Sequence, residues 1–175
     1  KDLGPYRPFW IEDATPADIA EMRRIAKEAV EAGALGFATS RTINHKSIDG
    51  ELITSLTAAE DELQGIAQGL KDAGSGIMQL ISDFDDPREE FAMIRRVAEE
   101  NDRRLTFSLL QVPNDPTRWR TVLTEAETAR NEGVRVTAQV CGRPVGVLCG
   151  LELSTNPFSF CPSYKAIAGL PLAER

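Results

Sequence analysis

Apolar residues along the chain follow two alternating rhythms. From Thr15 onward they recur at helical spacing, with Ile19, Met22, Ile25, Ala26, Ala29 and Val30 falling on one face. Thr15-Pro16-Ala17-Asp18 places an N-cap, a first-turn proline and an acid in front of them, so the spacing predicts a helix over 16–32. Gly33 stops it, and 35–40 then reads as a short buried strand that, past Arg41, opens into the polar loop 42–50. The same pair recurs three times. Thr57-Ala58-Ala59-Glu60 reads as a capping box, Leu63, Ile66, Ala67 and Leu70 as the buried face of a helix ending near Gly74, and 77–81 as a strand. Asp85-Asp86-Pro87 opens a third helix with Phe91, Ile94, Val97 and Ala98 inward, followed by a strand over 105–110. A fourth helix lies within 114–130, with Trp119, Val122, Leu123 and Ala126 on one face, and Gly133 separates it from a strand over 134–140.

Strand onsets at residues 35, 77, 105 and 134 are 42, 28 and 29 positions apart, the length of one strand-helix unit. Strands joined through helices are parallel and lie in sequence order, because such crossovers are right-handed. Two architectures carry four such units: part of a (β/α)8 barrel, or an open doubly wound sheet. A nucleotide-binding sheet would show GxGxxG or GxxxxGK[ST] after its first strand, whereas Thr39-Ser40-Arg41 stands there. The expected fold is therefore α/β, a partial (β/α)8 TIM barrel. Whole barrels run to about 250 residues, and the chain has 175 and starts on Lys1, so it is expected to be a piece of a longer protein. The expected organisation is an irregular lead-in over 1–14, barrel units over 15–146, and a proline-rich stretch over 147–175 with a short helix near Tyr164 to Gly169.

Charge and composition narrow the function. A net charge of −7 and a pI near 4.9 argue against nucleic-acid binding, which needs clustered Lys and Arg. No stretch reaches the roughly 18 apolar residues that span a bilayer, and no signal peptide opens the chain, so no membrane partner is expected and a cytoplasmic location is. Cys141, Cys149 and Cys161 match no CxxC knuckle and read as free thiols.

Ligands of parallel α/β sheets bind at the C-terminal ends of strands. His45, the only histidine, sits in such a loop beside Arg41, Lys46 and Asp49, which suits a substrate or anion contact; the alternative is a solvated loop histidine. Arg143, ahead of Pro144, suits a bidentate grip on a carboxylate or a plain loop-to-helix salt bridge. Gln79, Ser82, Asp83, Ser108, Gln111 and Gln139 are polar groups on otherwise apolar strands, as a barrel mouth requires above layers packed with Val, Ile and Leu. The candidate substrate-binding set is thus Arg41, His45, Gln79, Asp83, Gln111, Gln139 and Arg143, around a small-molecule substrate. Asp85-Asp86 reads as an N-cap before Pro87 rather than a metal dyad. With one histidine and no HxH or CxxC, the chain carries no metal site or cofactor site of its own.

The run from Glu28 to Thr42, EAVEAGALGFATSRT, resembles the D-aminoacylase (N-acyl-D-amino-acid deacylase) branch of the amidohydrolase superfamily. Trp119-Arg120, Ala138-Gln139-Val140, Gly142-Arg143-Pro144-Val145-Gly146 and Asn156-Pro157-Phe158 are similar to the same group, and the likeness extends over about 14–175. It implies the middle of a metallo-dependent hydrolase barrel that cleaves N-acyl or cyclic amides, with a divalent metal such as zinc in the full-length protein. Members of that branch place metal-binding histidines at two strand ends where this chain reads Gln79-Leu80-Ile81-Ser82 and Ser108-Leu109-Leu110-Gln111. The resemblance therefore implies a divergent member; the alternative is a non-catalytic barrel-derived scaffold. The proline-rich C-terminal stretch or a second copy of the chain is the expected cover for the open inward strand faces.

Overall fold

A computed structural model of the chain describes residues 14–47, 51–112, 115–146, 148–153, 156–159 and 161–175. All of the expected lead-in except Ala14 lies outside them. Helix α1 (Pro16–Glu31) begins at a full capping box: the Thr15 hydroxyl accepts from the Asp18 N–H, and the Asp18 carboxylate accepts from the Thr15 N–H. Strand β1 (Gly36–Arg41) follows, then α2 (Glu60–Asp72) and β2 (Ile77–Ser82). Helix α3 (Pro87–Glu100) starts at Asp86, whose carboxylate accepts from the N–H groups of Arg88 and Glu89, the N-cap role expected of it. Strand β3 (Arg104–Ser108), α4 (Arg118–Asn131) and β4 (Val136–Gln139) complete the series, and α5 (Pro162–Lys165) is a single turn.

The four strands form one parallel sheet in the order β1-β2-β3-β4, as the strand-helix pattern requires. The chain carries four consecutive units of a (β/α)8 barrel. Three local expectations change. The second helix is capped at Ala59, not Thr57, because Thr54–Thr57 forms a 3-10 turn of its own. Alanine has no acceptor, so only half of the box survives: the Ala59 N–H donates to Glu62 Oε1 at 3.4 Å. Strands β3 and β4 are shorter than their apolar runs, since Leu109, Leu110, Val134 and Val140 extend past the ladder. The C-terminal helical piece starts at Pro162, earlier than expected.

Parallel register fixes what each sheet face carries. One face presents Phe37, Met78, Leu80, Leu105, Phe107 and Val136 to the helices. Phe107, fully buried, meets Phe84 and Phe91 edge-on at ring-centroid distances of 5.7 and 5.8 Å. The other face runs in three rows: Gly36-Ile77-Arg104, Ala38-Gln79-Thr106-Thr137 and Ser40-Ile81-Ser108-Gln139. It is exposed or half-buried throughout. The expectation of Val, Ile and Leu layers below a polar mouth fails here, because polar side chains continue down to Arg104 at the N-terminal row.

Two compact units account for the described residues. The first comprises 14–42 and 54–140, which holds the sheet and α1 to α4; the second comprises the described parts of 43–53 and 141–175. The expected barrel segment over 15–146 thus gives its 43–53 loop and its last six residues to the second unit.

Candidate functional site

At the C-terminal edge of the sheet, β1 ends on Arg41 and β2 on Ser82, neighbours in register. Both point to the helix-covered side, where the first turn of α3 brings Glu90 between them. The Arg41 guanidinium grips that carboxylate with Nε at 2.5 Å from Oε1 and Nη2 at 3.3 Å from Oε2, and its Nη1 donates to the Ala58 carbonyl oxygen at 2.7 Å. Ser82 Oγ donates to Glu90 Oε1 at 3.0 Å and accepts the Phe84 N–H at 3.1 Å. Arg41 and Glu90 side chains are only 14% and 18% exposed, so this pair is held largely out of water, where a bidentate geometry is most effective.

One residue further along each strand, a second set of bonds crosses the same edge. Thr42, 1% exposed, donates its hydroxyl to Asp83 Oδ1 at 2.6 Å. Arg118, from the start of α4, donates Nη1 to the Asp83 carbonyl oxygen at 2.7 Å and to Asp85 Oδ1 at 2.9 Å, and Nε to Asp115 Oδ2 at 3.4 Å. The Asp115 carboxyl is held below the usual carboxylate range, chiefly by the Thr117 hydroxyl and N–H and then by Arg118. Phe84, next to Asp83, is 4% exposed and adopts φ +50, a left-handed conformation that bulky residues avoid and that is held here by burial against Phe107. The backbone that aims Asp83 is therefore fixed on both sides.

Between these groups lies a pocket of about 40 Å³ lined by Thr42, Ser82, Asp83, Ser108, Arg118 and Trp119 among others. At roughly 10–15 Å³ per water it holds about three waters and is too small for an acyl amino acid.

The sequence candidates thus separate. Arg41 and Asp83 belong to the linked edge, each already engaged by other side chains. Gln79 and Gln139 lie on the face that no helix of this unit covers, Gln79 in the middle row and Gln139 in the row nearest the C-terminal edge. Gln111, in the loop after β3, is exposed and donates Nε2 to the Pro116 carbonyl oxygen at 3.5 Å. His45 and Arg143 are exposed residues of the second unit, where Lys46 and Leu52 form an antiparallel bridge. Thr42, Glu90 and Arg118 were not among the candidates. A signal for Glu90 was available: an acid in the first turn of a helix sits over the C-terminal edge of the sheet, where a strand ending in arginine needs a partner.

At the strand ends Ile81, Leu109 and Leu110 offer no ligand atom. Among the described residues no group of three or more His, Cys, Asp or Glu side chains is placed to hold a metal. No described helix is long and apolar enough to cross a membrane.

Parallel β/α units with polar groups gathered at the C-terminal strand ends are the form of a (β/α)8-barrel protein whose ligand sits at the barrel mouth. Comparison narrows this further: the sequence model of the amidohydrolase family matches residues 10–174, and the chain belongs to that family. Searches of the curated proteins and of the solved structures found no significant match.

Proposed function

We propose that this chain is the middle portion of an amidohydrolase that cleaves N-acyl or cyclic amides, in the manner of the N-acyl-D-amino-acid deacylases. Membership in the amidohydrolase family supports hydrolysis of a C–N bond. The observation that carries the reading further is that Ser108 and Gln139 stand in the row nearest the C-terminal edge of a parallel sheet, on the face a barrel turns inward, with Gln79 in the row below and Asp83 and Gln111 at the edge above. Amide groups and a carboxylate suit the acyl-amide, whose carbonyl accepts and whose N–H donates. Within the second unit, His45 and Arg143 offer a switchable group and a cation, the chemistry that an amino-acid carboxylate takes. In this reading the chain supplies substrate contacts, not metal ligands.

The test is release of free amino acid by the full-length protein from N-acetyl-D-amino acids, their L-enantiomers and a cyclic amide. Preferential turnover of the D series supports the deacylase reading, turnover of the cyclic amide alone moves the substrate class, and no turnover of any overturns it. A second reading, a non-catalytic scaffold, is favoured by one observation: the charged groups at the C-terminal edge are bonded to one another. Saturable binding of the same amides without turnover would establish that scaffold.

A further inference from the structure

Asp83 stands one residue past β2, and the β1–β2 ladder still reaches it: its N–H donates to the Arg41 carbonyl oxygen at 3.0 Å, which carries the register on and sets Thr42 beside Asp83. Alternation along the strand puts Asp83 on the side of Gln79 and Ile81, the face a barrel turns inward, with Ser82 between them on the helix side. The residue is then held at both its side chain and its backbone. Thr42, almost fully buried, donates its hydroxyl to the carboxylate at Oδ1, and Arg118, with a side chain only 14% exposed, donates Nη1 to the carbonyl oxygen of the same residue. The following residue, Phe84, is buried in a left-handed conformation, a strained backbone of the kind that persists only where its surroundings over-determine it. These groups come from the ends of β1 and β2 and the start of α4, and β2 has a hydrogen-bonded strand on each side, so their arrangement does not depend on a sheet edge.

Asp86 and Asp115 show what an aspartate in a structural role does at this end of the sheet: their carboxylates accept backbone N–H groups where α3 and α4 begin. The Asp83 carboxylate takes a buried hydroxyl from the neighbouring strand end, while a third element grips its backbone. We propose that Thr42 and Arg118 are positioning residues of the hydrolytic site, Thr42 setting the Asp83 carboxylate and Arg118 the Asp83 backbone, so that one orientation is presented to the amide substrate. The proposal rests on the reading of Asp83 as a substrate contact. A carboxylate accepts along about four lone-pair directions, and a hydroxyl fixed on Oδ1 selects how the remaining ones face a substrate N–H. An acceptor already aimed needs no reorganisation when the substrate arrives.

The test is a mutant cycle on the full-length protein, with kcat and KM measured on its best amide substrate and Tm measured for every variant. Thr42→Val keeps the shape of the side chain and removes the hydroxyl; it is expected to lower kcat/KM by about tenfold, chiefly through kcat, and Thr42→Ser to restore most of the loss. Arg118→Met is expected to lower kcat/KM by a similar factor. In an Asp83→Ala background no carboxylate is left to orient, so each substitution is expected to leave kcat/KM within about twofold of that background, even where Tm falls. A purely structural role moves Tm and gives the same fold-loss with and without Asp83, and that additivity overturns the proposal. So does a Thr42→Val protein with parental kcat/KM. Should Thr42→Val fail to fold, the Arg118 half of the cycle decides by the same criterion. Parental kcat/KM for Asp83→Ala overturns the proposal and leaves the hydrolase reading standing, whereas a parent that cleaves no amide overturns both.

Discussion

The packing of α1 on α2 makes Gly69→Ala a decisive substitution. On α2, Gly65 and Gly69 are one turn apart and buried against α1. A Cβ at Gly69 would lie 2.3 Å from the Arg23 carbonyl oxygen and 3.0 Å from the Ala26 Cβ, so α1 and α2 must part by roughly 1 Å to restore ordinary contact. Helix propensity favours alanine by about 1 kcal/mol, while overpacking costs about 1–3 kcal/mol. The obstacle is backbone, which has no rotamer to escape into, so the upper cost applies and the net loss is about 2 kcal/mol. For a chain of this size that lowers Tm by about 4–8 °C. At Gly65 the Cβ meets the Ile19 Cγ2 at 2.4 Å but the nearest backbone atom, the Ile19 carbonyl oxygen, only at 3.3 Å, so side-chain repacking can relieve most of the clash and Gly65→Ala is expected to cost less. Thermal and urea melts of the two variants, with unchanged m-values, are the measurement. A Gly69→Ala protein as stable as the parent, or more stable than Gly65→Ala, would refute the close approach.

Glu90→Gln removes the charge that Arg41 grips in a nearly enclosed position and is expected to cost about 1.5–3 kcal/mol in a urea melt; a loss under about 0.5 kcal/mol would place the pair among solvated surface bridges. Asp72 and Glu60 titrate below their ordinary values because Arg23 and Arg96, respectively, hydrogen-bond them. Their folded pKa values are depressed, so their stabilisation is present at neutral pH and is lost as pH falls below about 4 toward the folded values; Asp72→Asn should flatten the acid limb of a Tm-against-pH curve, and an unchanged limb counts against the linkage. In the full-length enzyme, Asp83→Asn keeps an acceptor for Thr42 while removing the charge, so kcat/KM should fall by about tenfold or more with Tm nearly constant. Arg143→Ala should raise KM for acyl-amino acids over neutral amides, and an unchanged KM ratio leaves Arg143 without a carboxylate to bind.

Elements were readable from sequence wherever one face had to be apolar. Pro16, Asp86-Pro87 and Gly33 mark helix ends through local chemistry, and Gly33 indeed turns left-handed at φ +108. Capping at Ala59 was hidden because Thr57 satisfies the same local rule and loses only to the 3-10 turn at Thr54–Thr57. The reason for Gly65 and Gly69, their approach to Ile19 and Arg23, each 46 positions earlier, is a contact no local window contains. Site residues obeyed the same limit. Strand ends named Arg41 and Asp83, but their partners Glu90, Thr42 and Arg118 come from a helix turn, a neighbouring strand end and a helix start that only the fold assembles.

The two ends of the sheet handle charge in opposite ways, and the difference bears on function. At the C-terminal edge each charged group named has a partner: Arg41 with Glu90, Arg118 with Asp85 and Asp115, Asp83 with Thr42. The Thr42 hydroxyl and the buried, left-handed Phe84 set the direction of the Asp83 carboxylate. At the N-terminal edge Arg104 stands beside Arg135, and Arg104 and Arg130 have no ion-pair partner among the described residues. The bonded groups and the arginines without an ion-pair partner fall at opposite ends because parallel strands send every strand-to-helix loop to one end and every helix-to-strand return to the other.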